Sequence, residues 1–439
     1  YFEKKKSPTI AKWADKIDLK NKKVKDFIEF IHYARPIQSF SVSNWDWNYD
    51  EDVKSKKLED INWIQSIEKK YEATSDAFLK NRYWFQVIKG YFYSNKPENG
   101  VLFFEKTGEK QPKNTLYYRA LSYIAGITGH MGNRAKSNYL YSKVFDKCPK
   151  LQTVALFCFS PKEEKDWSEA FNYAKNNDEK VALWAIQGYY TDAEKAIENI
   201  FNLNPKSDYL EFLLARLINS EEIKISKNFD KQTVGQNKLA IRDSISKTVV
   251  PLIDKIAQSN KTLKPYLWNC AAGYLQSLDG NFSKADSYFS KAEKEMPKTS
   301  LAINQLRLLK FINNLSKIDE ITPKNEGSIL DDLNWLYFEL PQKQPENFRY
   351  ENATSWSKNY IATLFRSKKN SMMSELFIRD NQFYHDNSKI LAMKAFLIKD
   401  NKSPFEQMAK KIYSIKLTQI NTYQAVIATY KNEIPEAIA

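Results

Sequence analysis

The stretch Trp268–Pro297, WNCAAGYLQSLDGNFSKADSYFSKAEKEMP, decides the fold. Its apolar and small residues recur at three and four rather than at two, which is the period of helices. Gly280-Asn281 breaks that period, and both residues tolerate positive φ, as a tight turn between antiparallel helices requires. Gly273 and Ala285 are small where two helix backbones would approach. Phe289 then fills the space between them, and Pro297 stops the second helix. The spacing predicts two helices folded as a hairpin.

The same register occurs upstream. Gly132-Asn133 aligns with Gly280-Asn281, Lys136 with Lys284, Tyr141 with Phe289, Ser142-Lys143 with Ser290-Lys291 and Pro149 with Pro297, at a constant offset of 148 residues without a gap. The Gly273, Ala285, Phe289, Ala292, Pro297 spacing resembles a tetratricopeptide repeat. A Trp84, Gly90, Tyr93 series is similar to the first helix of such a unit, and Ala425 and Ala437 fall at its two small positions near the C-terminus. The resemblance covers most of 80–300 and the end of the chain. It implies an all-α, right-handed superhelical solenoid of helical hairpins, each too small to bury its own apolar face alone. Repeat lengths are irregular: Pro112 to Pro149 spans 37 positions.

Four regions follow along the chain. Residues 1–57 form an irregular N-terminal helical segment, in which Lys23–Ala34 has helical spacing and is expected to stop before Pro36. The segment ends in an acidic loop carrying Trp45, Trp47 and Tyr49. Helical repeats occupy 58–218. The polar stretch at 219–243 is expected to be an insertion or long loop, and 244–439 returns to repeats. The last hairpin opens a second helix and stops, so this end is expected to continue in a longer polypeptide or to be covered by another chain.

Composition agrees with an all-helical protein. Across 439 residues 42% are apolar, enough for a continuous core, while 11 glycines and 15 prolines are too few for the turns of a strand-rich fold. The net charge of +14 raises a nucleic-acid partner. Lysine, however, far outnumbers arginine and lies interspersed with acids, whereas specific phosphate and base recognition prefers arginine. No nucleic-acid partner is therefore expected. No apolar run reaches the length of a transmembrane helix. The three cysteines, Cys148, Cys158 and Cys270, have no paired metal spacing and form no disulfide framework, so they do not decide the compartment, whether cytoplasmic or exported.

The chain carries no catalytic signature. His32, His130 and His385 lie far apart, and His130 sits in GHMGN, where it reads as a surface turn residue. HExxH, paired CxxC, a glycine-rich phosphate loop and GxSxG are all missing from the sequence. Neither metal nor cofactor is expected. The repeat resemblance implies a non-enzymatic scaffold that binds a peptide or partner protein on a concave face, as part of a multi-protein assembly. Family geometry implies Trp84, Tyr91, Arg119, Tyr209, Phe212, Arg216, Cys270 and Tyr274 as groove residues, with Arg119 and Arg216 suited to clamp a carboxylate. Two other expectations stay open. One is a surface carbohydrate-binding protein with embedded repeats, for which Trp45, Trp47 and Tyr49 would form an aromatic platform. The other is an all-helical glycan-processing enzyme working through two carboxylates.

Overall fold

In the computed structural model, which describes residues 18–41, 61–226 and 233–438, every regular element is helical. The chain divides into two units, Tyr1–Asn204 and Pro205–Ala439. The first contains α1 (Lys22–Ser41), α2 (Ile61–Ala73), α3 (Ala77–Tyr93), α4 (Glu98–Thr107), α5 (Thr115–His130), α6 (Arg134–Lys147), α7 (Gln152–Cys158), α8 (Glu164–Ser168), α9 (Asn177–Tyr190) and α10 (Ala193–Leu203). The second contains α11 (Tyr209–Ser226), α12 (Val234–Ser244), α13 (Val249–Ser259), α14 (Pro265–Leu278), α15 (Phe282–Glu295), α16 (Ser300–Ser316) and α17 (Gly327–Asn334). A π turn at Trp335–Glu339 leads into α18 (Leu340–Lys343), α19 (Glu351–Ser367), α20 (Ser371–Phe377), α21 (Asn387–Ile398), α22 (Pro404–Ile412), α23 (Leu417–Tyr430) and α24 (Ile434–Ile438).

Consecutive helices pack in pairs, α5 on α6 and α14 on α15 most extensively. Gly132 and Gly280 have φ of +92° and +87°. In the first turn Gly132 N donates to Gly129 O and Asn133 N to Thr128 O, and in the second Gly280 N donates to Ser277 O and Asn281 N to Gln276 O. This Schellman closure satisfies the last carbonyls of each first helix. The gapless alignment between the two hairpins is thus matched in both backbone bonds that close each turn. Two further turns share the closure without glycine. Lys369 at φ 60° and Asn432 at φ 62° hold the left-handed position between α19 and α20 and between α23 and α24.

Packing explains the spacing of the best hairpin. Phe289 is fully buried, and a Cβ on Gly273 would stand 2.5 Å from its ring. In the first unit a core of Phe30, Ile37, Ile64, Trp84, Ile88 and Ile124 joins α1 to α5. The larger core of the second unit runs through Phe311, Leu336, Tyr360, Phe383 and Phe405.

Two expectations are corrected. Helix α1 does not stop before Pro36 but runs through it to Ser41. Ile37, one residue on, is completely buried, and it meets the backbone of α3 where Gly90 leaves room. That burial offsets the missing helical hydrogen bond. The polar stretch at 219–243 is largely helical rather than a loop: α11 runs to Ser226 and α12 begins at Val234. Its polar residues hide buried anchors, among them Ile225, Val234 and Ile241. Glu221 is 1% exposed because its carboxylate accepts from Lys224 Nζ at 2.5 Å and from Ser246 N at 2.9 Å.

Candidate functional site

The sequence-derived groove residues separate by unit and by burial. Trp84 and Tyr91 are core residues of the first unit rather than surface. Trp84 is fully buried, donates from Nε1 to Thr107 Oγ1 at 2.8 Å and stacks on Tyr117. Tyr91 is 4% exposed and donates its hydroxyl to Glu68 at 2.7 Å. In the second unit Tyr274 is half-buried between two core clusters, with its hydroxyl donated to Glu222 Oε1 at 2.9 Å. That pairing ties α14 to α11, and burial is the main cause that pushes the Glu222 carboxyl up. Cys270 is half-buried, and burial raises its thiol to about 12, so it is not a nucleophile near neutral pH. Tyr209, Phe212 and Arg216 line one face of α11. Phe212 and Arg216 are exposed, and all three are already engaged within the chain. Trp45, Trp47 and Tyr49 lie outside the described residues.

Arg119 is the residue around which a site forms. A chain of amide hydrogen bonds fixes where α5 begins: Gln111 Nε2 donates to Tyr71 OH, Asn81 Nδ2 to Gln111 Oε1, and Asn114 Nδ2 to Asn81 Oδ1. Asn114 then caps α5 by accepting from Tyr117 N at 3.1 Å. With its start pinned to α2 and α3, the helix carries Thr115, Arg119, Ser122 and Tyr123 on one face. These four line a shallow depression of ≈ 420 Å³ whose other wall is Leu151 and Val154.

The guanidinium of Arg119 stands 5.3 Å from the centre of the Phe85 ring, a cation held on an aromatic face. Among the described residues no carboxylate lies within ion-pair distance of it. Tyr123 packs on Phe92 with ring centres 4.7 Å apart and touches Tyr93 and Phe85. Behind them Lys89 is buried, with its ammonium donating to Gln38 Oε1 at 2.7 Å. Burial, and then the charge of Arg119, hold Lys89 below its ordinary pKa. Burial raises the Tyr93 phenol to about 12, with Tyr123 adding to it and Arg119 opposing. The depression is therefore positive and floored by aromatic rings.

Helix α7 supplies an apolar edge. It anchors itself through Ala155, fully buried, while Phe159 after it packs edge-on against Trp167 and Tyr190. Its outer face presents Val154, 44% exposed, and Phe157, 91% exposed. The helix that walls the Arg119 depression with Val154 thus also leaves an aromatic ring almost wholly in water. Sequence reasoning found Arg119 and missed Phe157, because the run VALF reads the same whether its second or fourth member faces the core.

Among the described residues no group of histidine, cysteine or carboxylate side chains could hold a metal ion. No described helix is long and apolar enough to cross a membrane. His130 ends α5 and is exposed at the turn. No protein-family model matches the chain, no curated protein is significantly similar to it, and no solved structure matches it significantly. What the fold and site define is an all-helical protein with a cationic, aromatic-floored depression on one unit.

Proposed function

We propose that this protein is a non-enzymatic scaffold that binds an extended peptide or partner protein and works as one component of a larger assembly. Its hairpins are read as tetratricopeptide-like units stacked in a right-handed solenoid, and the Arg119 depression as the part of it that meets the partner. The observation that carries this reading is the exposed Arg119 guanidinium, which has no carboxylate partner among the described residues and lines a depression walled by Val154 of α7, the helix that also exposes Phe157. A guanidinium in that position takes a carboxylate through paired N–H donors. The ring of Phe157 and the Val154 methyls take an apolar side chain a few residues away. The partner is thus a peptide bearing a carboxylate, from its C-terminus or an acidic residue, next to an apolar anchor. The repeated Schellman turns support the hairpin reading, since four of them share one closure.

The test is selection of peptides with free C-termini from a display library on the full chain, followed by fluorescence-polarisation titration. Selected peptides should be enriched in acids or in a free carboxylate beside an apolar residue. Arg119→Ala should weaken them by about tenfold or more, the scale of a charge-assisted hydrogen bond. Phe157→Ser should weaken them further while leaving the fold intact, because the side chain is exposed. Peptides that bind Arg119→Ala as tightly as the parent would overturn the assignment.

A further inference from the structure

A second site stands in the other unit, where α12, α14, α16 and α19 converge. Its lining includes Lys238 and Arg242 from α12, Ser277 from α14, Phe282 from the start of α15, and Trp356 and Tyr360 from α19. Capping fixes α12: Thr233 accepts from Gln236 N, and the Gln236 side chain returns the bond to Thr233 N. Ile241 is buried one turn before the end, which leaves Lys238 and Arg242, four residues apart, along one edge.

The floor is built rather than incidental. Ser277 Oγ donates to Asn313 Oδ1 at 2.8 Å, and Asn313 Nδ2 donates to Asp286 Oδ1 at 2.7 Å, which locks the end of α14 to α15 and α16. Tyr360 donates its hydroxyl to Ile318 O at 3.1 Å, and Trp356 stacks on it with ring centres 5.3 Å apart. Lys238 lies over the Phe282 ring at 5.6 Å and reaches Asp319, a residue 80% exposed. Arg242 has only a 3.7 Å approach to its exposed neighbour Asp243. Both cations are therefore held by partners that solvent already screens, and either can be recruited by a ligand.

The space measures ≈ 120 Å³. An apolar cavity of about 150 Å³ accepts one benzene ring, so the enclosed part of this cleft matches a single six-membered ring. Aromatic walls favour a planar ring. The cationic edge favours a negative substituent on it, because the lining carries Lys238 and Arg242 against the single carboxylate of Asp279. We propose that this cleft binds a small single-ring carboxylate. The site is independent of the Arg119 depression and of any peptide bound there.

Calorimetric titration of the full chain with benzoate, 2-naphthoate and benzylamine tests it. Benzoate should bind saturably, while naphthoate, too large by one ring, and benzylamine, of the wrong charge, should each bind at least about tenfold more weakly. Arg242→Ala, on an exposed side chain, should keep the far-ultraviolet circular dichroism and lose about tenfold in benzoate affinity. Trp356→Phe should keep binding but abolish the benzoate-induced change in tryptophan fluorescence. Lack of saturable benzoate binding, equal binding of the three probes, or benzoate affinity unchanged in Arg242→Ala would each overturn the proposal.

Discussion

The α5–α6 hairpin and the α14–α15 hairpin share a turn and almost nothing on their outer faces. Their closing hydrogen bonds coincide at an offset of 148 residues, and Tyr141 and Phe289, at matching positions, are both buried. Yet the positions that correspond to Arg119, Ser122 and Tyr123 are Leu267, Cys270 and Ala271. One hairpin offers a positive aromatic depression, and the other gives its corresponding face to packing. The lesson is that a repeat preserves what the backbone needs, a left-handed residue and a wedge between helices, and leaves the chemistry of each face free to differ.

The wedge is where the comparison can be broken most decisively. Phe289→Ala should lower stability by about 3–5 kcal/mol, and Tyr141→Ala by a similar amount, as for large buried aromatics. Chemical denaturation of both variants checks this. If one loss fell below about 1 kcal/mol, the two hairpins would not be held by the same device.

A smaller effect should separate the two hairpins. Gly273→Ala places a methyl 2.5 Å from the Phe289 ring and should cost about 1–3 kcal/mol. The matching position in the first hairpin is Ala125, already buried, where Ala125→Gly should cost only about 0.5–1 kcal/mol from backbone entropy. Equal costs would mean that the two helix pairs approach to the same distance.

Alkaline pH should sharpen the contrast between units. Burial raises Tyr83 and Tyr93 in the first unit, and Tyr413 in the second, to about 12. An unfolded tyrosine ionises near 10. Because the folded value is the higher one, this stability is fully present below about pH 10 and is lost as pH rises toward 12. Each ring contributes a slope of at most about 1.4 kcal/mol per pH unit, less where solvent reaches it. Denaturation midpoints measured from pH 9 to 11 should fall, and Tyr83→Phe should flatten the slope. A midpoint that rose with pH would contradict the burial of these phenols.

The smallest expected effect is a gain. Lys369 occupies the left-handed position that glycine fills at 132 and 280. Lys369→Gly should therefore stabilise the protein by about 0.5–1 kcal/mol, the relief of a strained backbone less the entropy glycine adds to the unfolded chain. Thermal denaturation reads it, and a loss would mean that the lysine side chain contributes more than its backbone costs.

The helical class, the hairpin at Gly280 and its partner at Gly132 were legible because each depends on residues close in sequence. Helical period, a Gly-Asn turn and a terminal proline act within one or two turns of chain, so spacing alone reports them. The turn at Lys369 escaped because its left-handed position is filled by a residue that ordinarily avoids it. Pro36 was misread because the burial of Ile37, which keeps the helix running, depends on Gly90 more than fifty positions away. The stretch at 219–243 was misread because its anchors are sparse among polar residues.

The site divides the same way. Arg119 was marked by its register on a first helix, a local property. That its guanidinium lies over Phe85 with no carboxylate partner among the described residues, that Phe157 rather than Ala155 faces water, and that Trp84 and Tyr91 are core rather than groove were settled only by tertiary structure. Local spacing fixes which residues share a helix face. Which face meets the rest of the protein and which meets solvent is set by contacts between segments distant in sequence, such as the amide chain from Tyr71 to Asn114 that seats α5.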